Sequence, residues 1–446
     1  MNISIIGTGY VGLVSGVCLS EKGHNVVCVD IDKEKVEKIN NGVPPIHEQN
    51  LKDLLIKNIG NRFKATTNFE KAVFDSELSI IAVGTPFDGE LIDLTFIEQV
   101  SAQIGKILRH KDKYHVVAVK STVVPGTTDD VVLPILESES GKTAGIHFGV
   151  GMNPEFLREG EAISDFMNPD RIVLGGIDSK TRDIMSGVYE VFEHADIIKT
   201  NNKTAEMIKY TSNSLLATLI SFSNEIGNLC AGLEDVDVMD VMEGVHKDKR
   251  FSPVTSEGER IFPGFLSYLA AGCGFGGSCF PKDVKALIAH GQRSGNPMSL
   301  LNAVIQINDN QPKQIINAVN RSFNNLSGMK IAILGLAFKP GTDDMRESPS
   351  IPVVQYLLES GVIIKAYDPI AENEARKLFG NHSISYMDNL EETLDDVEAI
   401  ILLTGWKEFE HVPEILKNKN PQPLFIDGRR MLSKHLFEKY IGIGLS

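Results

Sequence analysis

Residues 2–30 restrict the fold more than any other stretch. Asn2-Ile3-Ser4-Ile5-Ile6 is a short apolar strand. Gly7-Thr8-Gly9-Tyr10-Val11-Gly12 follows at once, then a helical pattern from Leu13 to Lys22 stopped by Gly23, then a second strand from His24 to Asp30. A strand, a tight glycine turn, a helix and a second strand form a right-handed βαβ unit, which belongs to a parallel sheet. In that context GxGxxG is a dinucleotide turn. Gly7 makes the turn, Gly9 clears room for a pyrophosphate and Gly12 lets helix and strand pack closely. The predicted cofactor loop is therefore Gly7, Thr8, Gly9, Tyr10, Val11 and Gly12. Asp30, closing the second strand, would accept hydrogen bonds from ribose hydroxyls and repel a 2′-phosphate, which favours NAD over NADP. Lys35 could sit on the adenosine side or be a solvated helix lysine.

Further strands place more polar residues at the carboxyl edge of the same sheet, where open α/β folds bind ligands. Leu78–Val83 ends in Gly84-Thr85-Pro86, and Val116–Val119 ends in Lys120-Ser121-Thr122. The hydroxyls of Ser121 and Thr122 could cap a helix or face the cofactor. Phe148–Gly151 leads into Asn153-Pro154-Glu155-Phe156-Leu157-Arg158-Glu159-Gly160. If that segment is helical, Glu155 and Glu159 share a face and could hold a water or act as a base; equally they could serve only the helix dipole. Asp170–Gly175 is expected to close the domain as an edge strand.

No proline interrupts residues 203–233, where apolar residues recur at three- and four-residue steps, so a long helix is expected. Lys209 and Asn213 lie one turn apart on it, beside Ser212 and Ser214. They read either as a solvent face or as a lysine and an amide aimed at an oxyanion. A helix over Val236–Met242 follows, then a polar insertion over His246–Ser256. Next comes Gly272-Cys273-Gly274-Phe275-Gly276-Gly277-Ser278-Cys279, with Asp283 four residues beyond Cys279. A thiol at the end of a glycine nest, opening a helix, is where a thiolate is favoured; the alternative is a buried core cysteine. Helices are expected to about Ser294 and over Leu300–Val319.

After a polar linker, Lys330–Gly335 restarts the strand-then-glycine pattern, with only the first glycine of the motif in place. The helix Pro349–Gly361 and strands Val362–Asp368, Ala399–Leu403 and, last, Leu424–Ile426 complete a second doubly wound half. Lys339, Arg346 and Arg429 fall near strand ends, where they could meet phosphates. The expected fold class is α/β: two doubly wound Rossmann-like domains joined by a long central helix. The regions are 1–200 (cofactor), 201–319 (central, dimerising, with the cysteine loop) and 320–446 (second nucleotide).

A net charge of −15 argues against nucleic acid and anionic membranes as partners. The apolar runs are too short to span a bilayer. Five cysteines without a spaced framework point to a reduced, cytoplasmic protein, and no CxxC or histidine cluster suggests a metal.

In order along the chain, GTGYVG, VGTP, KSTVVPGT, NPEFLREG, PDRIVLG, the Lys209/Asn213 helix, GFGGSCFPKD, FKPGTDDMRES and DGRR resemble the nucleotide-sugar 6-dehydrogenases. The resemblance covers nearly the whole chain; NPEFLREG and GFGGSC lean towards the members that use UDP-glucose. It implies a homodimer or higher homo-oligomer, NAD as cofactor, a UDP-sugar substrate and a four-electron oxidation of a primary alcohol through a cysteine thioester. By resemblance the catalytic residues are Cys279, Lys209, Asn213, Asp283, Glu155 and Thr122. Thr85, Pro86, Ser121, Glu159 and Arg346 would join Asp30, Lys35 and the glycine turn at the cofactor. Phe156, Leu157, Arg158, Arg260 (reaching across a dimer), Phe265, Gly274, Phe275, Gly276, Phe338, Lys339 and Arg429 would contact substrate. The 246–260 segment is longer than the family pattern.

Overall fold

Strand β1 (Asn2–Ile6) sits inside a sheet because four of its five residues are buried, and its neighbours are as apolar. A computed structural model describes residues 1–380 and 384–446. Two compact units result, Met1–Ser212 and Asn213–Ser446. The first holds β1, β2 (Asn25–Val29), β3 (Phe63–Thr66), β4 (Leu78–Ile81), β5 (His115–Val119), β6 (Phe148–Met152), β7 (Arg171–Gly176) and β8 (Asp196–Thr200). Their order is β3-β2-β1-β4-β5-β6-β7-β8, parallel except for the β6–β7 pair. Every residue of β4, β5 and β6 is buried, as expected for strands covered on both faces. The order reverses between β1 and β4, which puts the binding crevice of the sheet at their carboxyl ends.

One expectation changes here, and one open alternative is decided. β7 is not the edge, because β8 pairs with it in parallel on its outer side. Residues 153–160 are not helical; the short helix begins at Ala162. Glu155 and Glu159 therefore do not share a helix face.

In the second unit β9 (Lys330–Leu334), β10 (Ile363–Tyr367), β11 (Ile384–Tyr386), β12 (Ala399–Leu402), β13 (Leu424–Asp427) and β14 (Tyr440–Gly442) form an all-parallel sheet of order β11-β10-β9-β12-β13-β14. Leu424–Asp427 is thus followed by a further strand at the edge. The long helix, Asn202–Cys230, runs through the boundary between the units. Cys230, with Val238 and Met242 of the next helix (Val238–His246), shares a core with Ala271, Cys273, Ile315 and Ile443. The stretch expected as one helix over 300–319 is two, Ser299–Asn310 and Pro312–Ser322; Pro312 starts the second because its ring and missing N–H suit a first turn, not a helix interior. The 246–260 insertion folds back on itself, with Val254 bridging Arg260 and Ile261 N–H donating to Pro253 O at 2.9 Å. Among the described residues no helix is long and apolar enough to cross a membrane.

Candidate active site

In the first unit, the turn after β1 is as tight as its glycines suggest. Gly7 has φ +105°, and its N–H donates to Val29 O at 2.8 Å. A Cβ on Gly12 would lie 2.0 Å from Gly7 O, so only glycine lets the helix Tyr10–Glu21 approach the strand. Gly9 differs: a Cβ there would meet nothing within 4 Å. Packing within the chain does not require this glycine; the close approach of a pyrophosphate does, so the turn fits a dinucleotide. Asp30 Oδ2 accepts from Thr8 N–H at 3.1 Å and from the Thr8 hydroxyl, and pairs with Lys35 Nζ at 3.3 Å. Lys35 is thus paired with Asp30 rather than standing alone in solvent. Thr85 Oγ1 donates to Thr122 O (2.7 Å) and Ser121 Oγ to Val83 O (2.7 Å), tying the ends of β4 and β5 together.

The NPEFLREG segment enters the same unit from β6. Glu155 Oε1 is 2.9 Å from Lys209 Nζ, and Glu155 Oε2 accepts from Leu157 N–H at 2.6 Å. Both side chains are buried, so Lys209 does not lie on a solvent face. Burial would raise the Glu155 carboxyl, but the Lys209 charge and hydrogen bond, the Leu157 N–H and Lys120 outweigh it and hold it below its ordinary range. Phe156 takes the Arg171 guanidinium over its ring at 4.0 Å and Lys209 at 5.6 Å. Arg158 is exposed and bridges Glu161 and Asp165, each at 2.6 Å.

In the second unit, Cys279 is half-exposed, whereas the other four cysteines are buried. It immediately precedes the helix Phe280–Arg293, with Ser278 Oγ 3.5 Å from its sulfur. The buried-core reading of this thiol therefore fails. Asp283, one turn on and buried, donates its N–H to Cys279 O at 2.8 Å. Asn213 Nδ2 donates to Asp283 Oδ2 and Lys282 Nζ to Asp283 Oδ1, each at 2.6 Å. Phe338 lies over the glycine loop: a Cβ on Gly277 would sit 2.7 Å from its ring.

Three arginines carry bonds that the sequence did not suggest. Arg260 Nη1 donates to Lys247 O (2.7 Å) and Ser252 O (2.9 Å), stapling the insertion. Arg346 is clamped to Asp344 by two bonds of 2.8 Å, and its carbonyl accepts from Gly277 N–H at 2.8 Å. Arg429 donates to Leu403 O, Gly274 O and Phe338 O at 2.6, 2.9 and 3.3 Å, so it ties the end of β12, the glycine loop and the 338 loop together.

The sequence matches three profiles of one family: the NAD binding domain of the UDP-glucose/GDP-mannose dehydrogenase family over residues 1–193, its central domain over 203–310 and its UDP binding domain over 332–434. The chain belongs to the UDP-glucose/GDP-mannose dehydrogenase family. The UDP-glucose 6-dehydrogenase TuaD of Bacillus subtilis is 41% identical to it over 97% of this chain and 89% of its own. A GDP-mannose 6-dehydrogenase of Pseudomonas savastanoi pv. phaseolicola is 40% identical over 95% and 94%. The solved structure of a UDP-glucose dehydrogenase from Pyrobaculum islandicum superposes with a TM-score of 0.89 at 36% identity, covering 100% of this chain and 98% of that one. As a member of the UDP-glucose/GDP-mannose dehydrogenase family, the chain is an NAD-dependent oxidoreductase.

Two parts of the first unit escaped the sequence reading. Glu48, buried, accepts from Gly160 N–H (2.7 Å), Ala162 N–H (2.9 Å) and the Tyr10 hydroxyl, so it joins the cofactor helix to the segment carrying Glu159. Nothing local in the sequence marks it. Lys120, buried, donates to Asn153 Oδ1 at 3.1 Å, and burial brings its ammonium down to about 8 against the pull of Glu155. Its position directly after a buried strand was the available signal.

Proposed function

We infer that this chain oxidises the 6-hydroxymethyl group of UDP-glucose to a carboxylate in two two-electron steps, with Cys279 holding the intermediate and UDP-glucuronate released. One observation carries the reading: a half-exposed thiol one helical turn from a buried carboxylate whose oxygens are held by Asn213 and Lys282. A two-electron dehydrogenase has no use for that pairing. NAD+, when bound, accepts a hydride in each oxidation.

The residues then divide the labour. Cys279 Sγ adds to the aldehyde carbon and the thiol proton passes to the new alkoxide, giving a thiohemiacetal. Its oxidation leaves a thioester. Water attacks the thioester carbon, the C–S bond breaks, and the carboxylate leaves with the thiol regenerated. Asp283 takes the proton of the attacking water, and Asn213 keeps its carboxylate aimed. Lys209, held in place by Glu155, offers positive charge to the oxyanion; Thr122 assists the proton traffic. Glu159 and Arg346 are proposed at the cofactor. Phe338, Lys339 and the Gly274–Gly276 backbone are proposed at the UDP-sugar, with Phe156–Arg158, Arg260, Phe265 and Arg429. We assign functional regions to 1–200, 201–319 and 320–446, in a cytoplasmic enzyme consistent with its unspaced cysteines.

A homodimer is part of the reading. Leu215, Phe222 and Leu229 follow one another at heptad spacing on the long helix, and are 57%, 48% and 60% exposed. That spacing makes one apolar stripe, which suits a second copy of the same helix. Replacing Leu215 and Phe222 by Glu should halve the mass in light scattering; an unchanged mass refutes the stripe as interface.

The function is tested by counting NADH formed per sugar nucleotide supplied. Two are expected for UDP-glucose, with Cys279→Ser blocking release of acid. One NADH per substrate, or full acid production by the serine variant, would sink the thioester. GDP-mannose and UDP-N-acetylglucosamine run in parallel; preferred turnover of GDP-mannose would move the assignment to the substrate named for the 40%-identical relative.

A further inference from the structure

The glycine loop is gripped by carboxamides from residues the function does not otherwise use. Asn308, on the helix Ser299–Asn310, makes two bonds to one residue of the loop: Phe275 N–H donates to Asn308 Oδ1 at 2.8 Å, and Asn308 Nδ2 donates to Phe275 O at 3.0 Å. Gln311, fully buried at the break before Pro312, donates from Nε2 to Gly272 O at 2.8 Å and accepts from Asn228 Nδ2 at 3.0 Å. Asn224, fully buried on the long helix, accepts from Gly272 N–H at 2.8 Å. Gly272 and Phe275 thus have both their N–H and C=O groups taken by side-chain amides. Gly274, between them, has φ +104°, and a Cβ there would stand 2.9 Å from Asn308 Oδ1. The glycine at 274 and the asparagine at 308 therefore fit one another.

We propose that Asn308, with Gln311 and Asn224, is a positioning residue that fixes the glycine loop for turnover at Cys279. The proposal rests on the reading above that this loop carries the reacting thiol. Backbone–backbone ladders do not stabilise a four-glycine segment with left-handed residues, and glycine retains the most freedom of any residue when unheld. Neutral amides are suited to hold it, because each carries a donor and an acceptor in one plane, matching the two polar groups of a backbone segment. A charged group also meets a loop carbonyl: Arg429 donates to Gly274 O at 2.9 Å.

The test compares Asn308→Ala and Asn308→Asp with the parent enzyme across pH, with thermal midpoints measured alongside. Asn308→Ala removes both bonds; kcat should fall about 30-fold, since a loop shifted by roughly an ångström costs that order of rate, while KM for NAD stays within about two-fold. Asn308→Asp keeps the acceptor for Phe275 N–H. Its carboxyl, once protonated, again donates to Phe275 O. Its kcat relative to the parent should therefore climb as the pH is lowered, whereas the Asn308→Ala ratio stays level. A flat ratio for Asn308→Asp overturns the proposal, as does Asn308→Ala turning over within about two-fold of the parent or a loss of kcat that only follows the thermal midpoint. If the parent oxidises none of the sugar nucleotides, the functional reading fails instead. Hydrogen exchange then tests the clamp alone: Asn308→Ala must speed exchange in the 270–279 segment, and unchanged exchange overturns the clamp.

Discussion

The openings of the two sheets are built alike for two residues and then part. After β1, Gly7 N–H donates to Val29 O at 2.8 Å; after β9, Gly335 N–H donates to Tyr367 O at 2.8 Å. An aspartate follows the second strand in each, Asp30 and Asp368, and each accepts from the residue after the first glycine, Thr8 N–H at 3.1 Å and Leu336 N–H at 2.7 Å. The third position decides. Gly9 leaves its Cβ direction open, and the helix starts at once at Tyr10. Ala337 is fully buried, donates its N–H to Asp368 Oδ2 at 3.1 Å and accepts from Thr404 Oγ1 at 2.5 Å. Asp368 also accepts from Trp406 Nε1 (3.2 Å), Ile370 N–H (3.0 Å) and Ala371 N–H (2.8 Å). One acid keeps a partly exposed carboxylate beside an open turn, which suits a ribose. Both acids have both oxygens bonded within the chain, Asp30 Oδ1 accepting from Asp32 N–H at 3.1 Å, but Asp368 is buried. The same strand–turn–strand frame can thus leave a turn open beside a partly exposed acid or bury both, and burial distinguishes the two where topology does not.

The largest effect expected from this difference is on stability. Asp368→Ala strands several buried N–H groups and should cost on the order of 4–5 kcal/mol, read as a fall in denaturant midpoint. Asp30→Ala, with water able to replace the carboxylate, should cost about 1 kcal/mol or less while raising KM for NAD about 10- to 100-fold. Equal stability losses would erase the distinction drawn between the two acids.

A smaller contrast lies in the glycines. Gly335 has φ +86°, with its Cβ direction 2.4 Å from Thr404 Cβ, so Gly335→Ala should lower stability by about 2–3 kcal/mol through overpacking and strain. Gly9 has φ −68°, so Gly9→Ala should leave the melting temperature without cofactor unmoved and shrink the upward shift that NAD produces. A large destabilisation of the unliganded Gly9→Ala protein would show that the chain, not the ligand, demands that glycine.

The smallest expected effect is a pair of opposed pH slopes. Glu206, fully buried, has its carboxyl raised by burial to about 7 in spite of bonds from Thr128 and Gly126. Because it titrates higher folded than its ordinary 4.5, the first unit should lose stability as pH rises from about 4.5 to about 7. Asp237 is the reverse: burial opposes ionisation, but Arg430, the Met239 N–H and Lys434 draw the carboxyl down to about 2. Its contribution to the second unit is present above its ordinary 3.8 and is lost as pH falls towards 2. Glu206→Gln should flatten the first slope and Asp237→Asn the second, in unfolding followed at a series of pH values. A slope that survives its own substitution would assign the titration to another group.

Local pattern was enough for the sheets, because βαβ units are encoded in a few consecutive residues: an apolar strand, a glycine turn, a helix and an acid. It was enough also for Cys279 and Asp283, since four residues of helix fix their separation. It was not enough where length or pairing decided. β8 and β14 are short, polar-flanked edge strands whose partners lie elsewhere in the chain, and the 153–160 segment, which the sequence left open as helix or not, is a loop in which Glu155 bonds Lys209. What the sequence determined by itself was the pair of nucleotide folds, the NAD turn and the thiol at the start of its helix. What only the tertiary structure decided was what these polar groups bond within the chain: Asp368 its own backbone, Arg260 its own loop, Arg429 three carbonyls, and Asn308 Phe275. Hydrogen-bond partners as much as 155 residues apart leave no periodic trace, since burial rather than spacing makes each donor and acceptor find a mate.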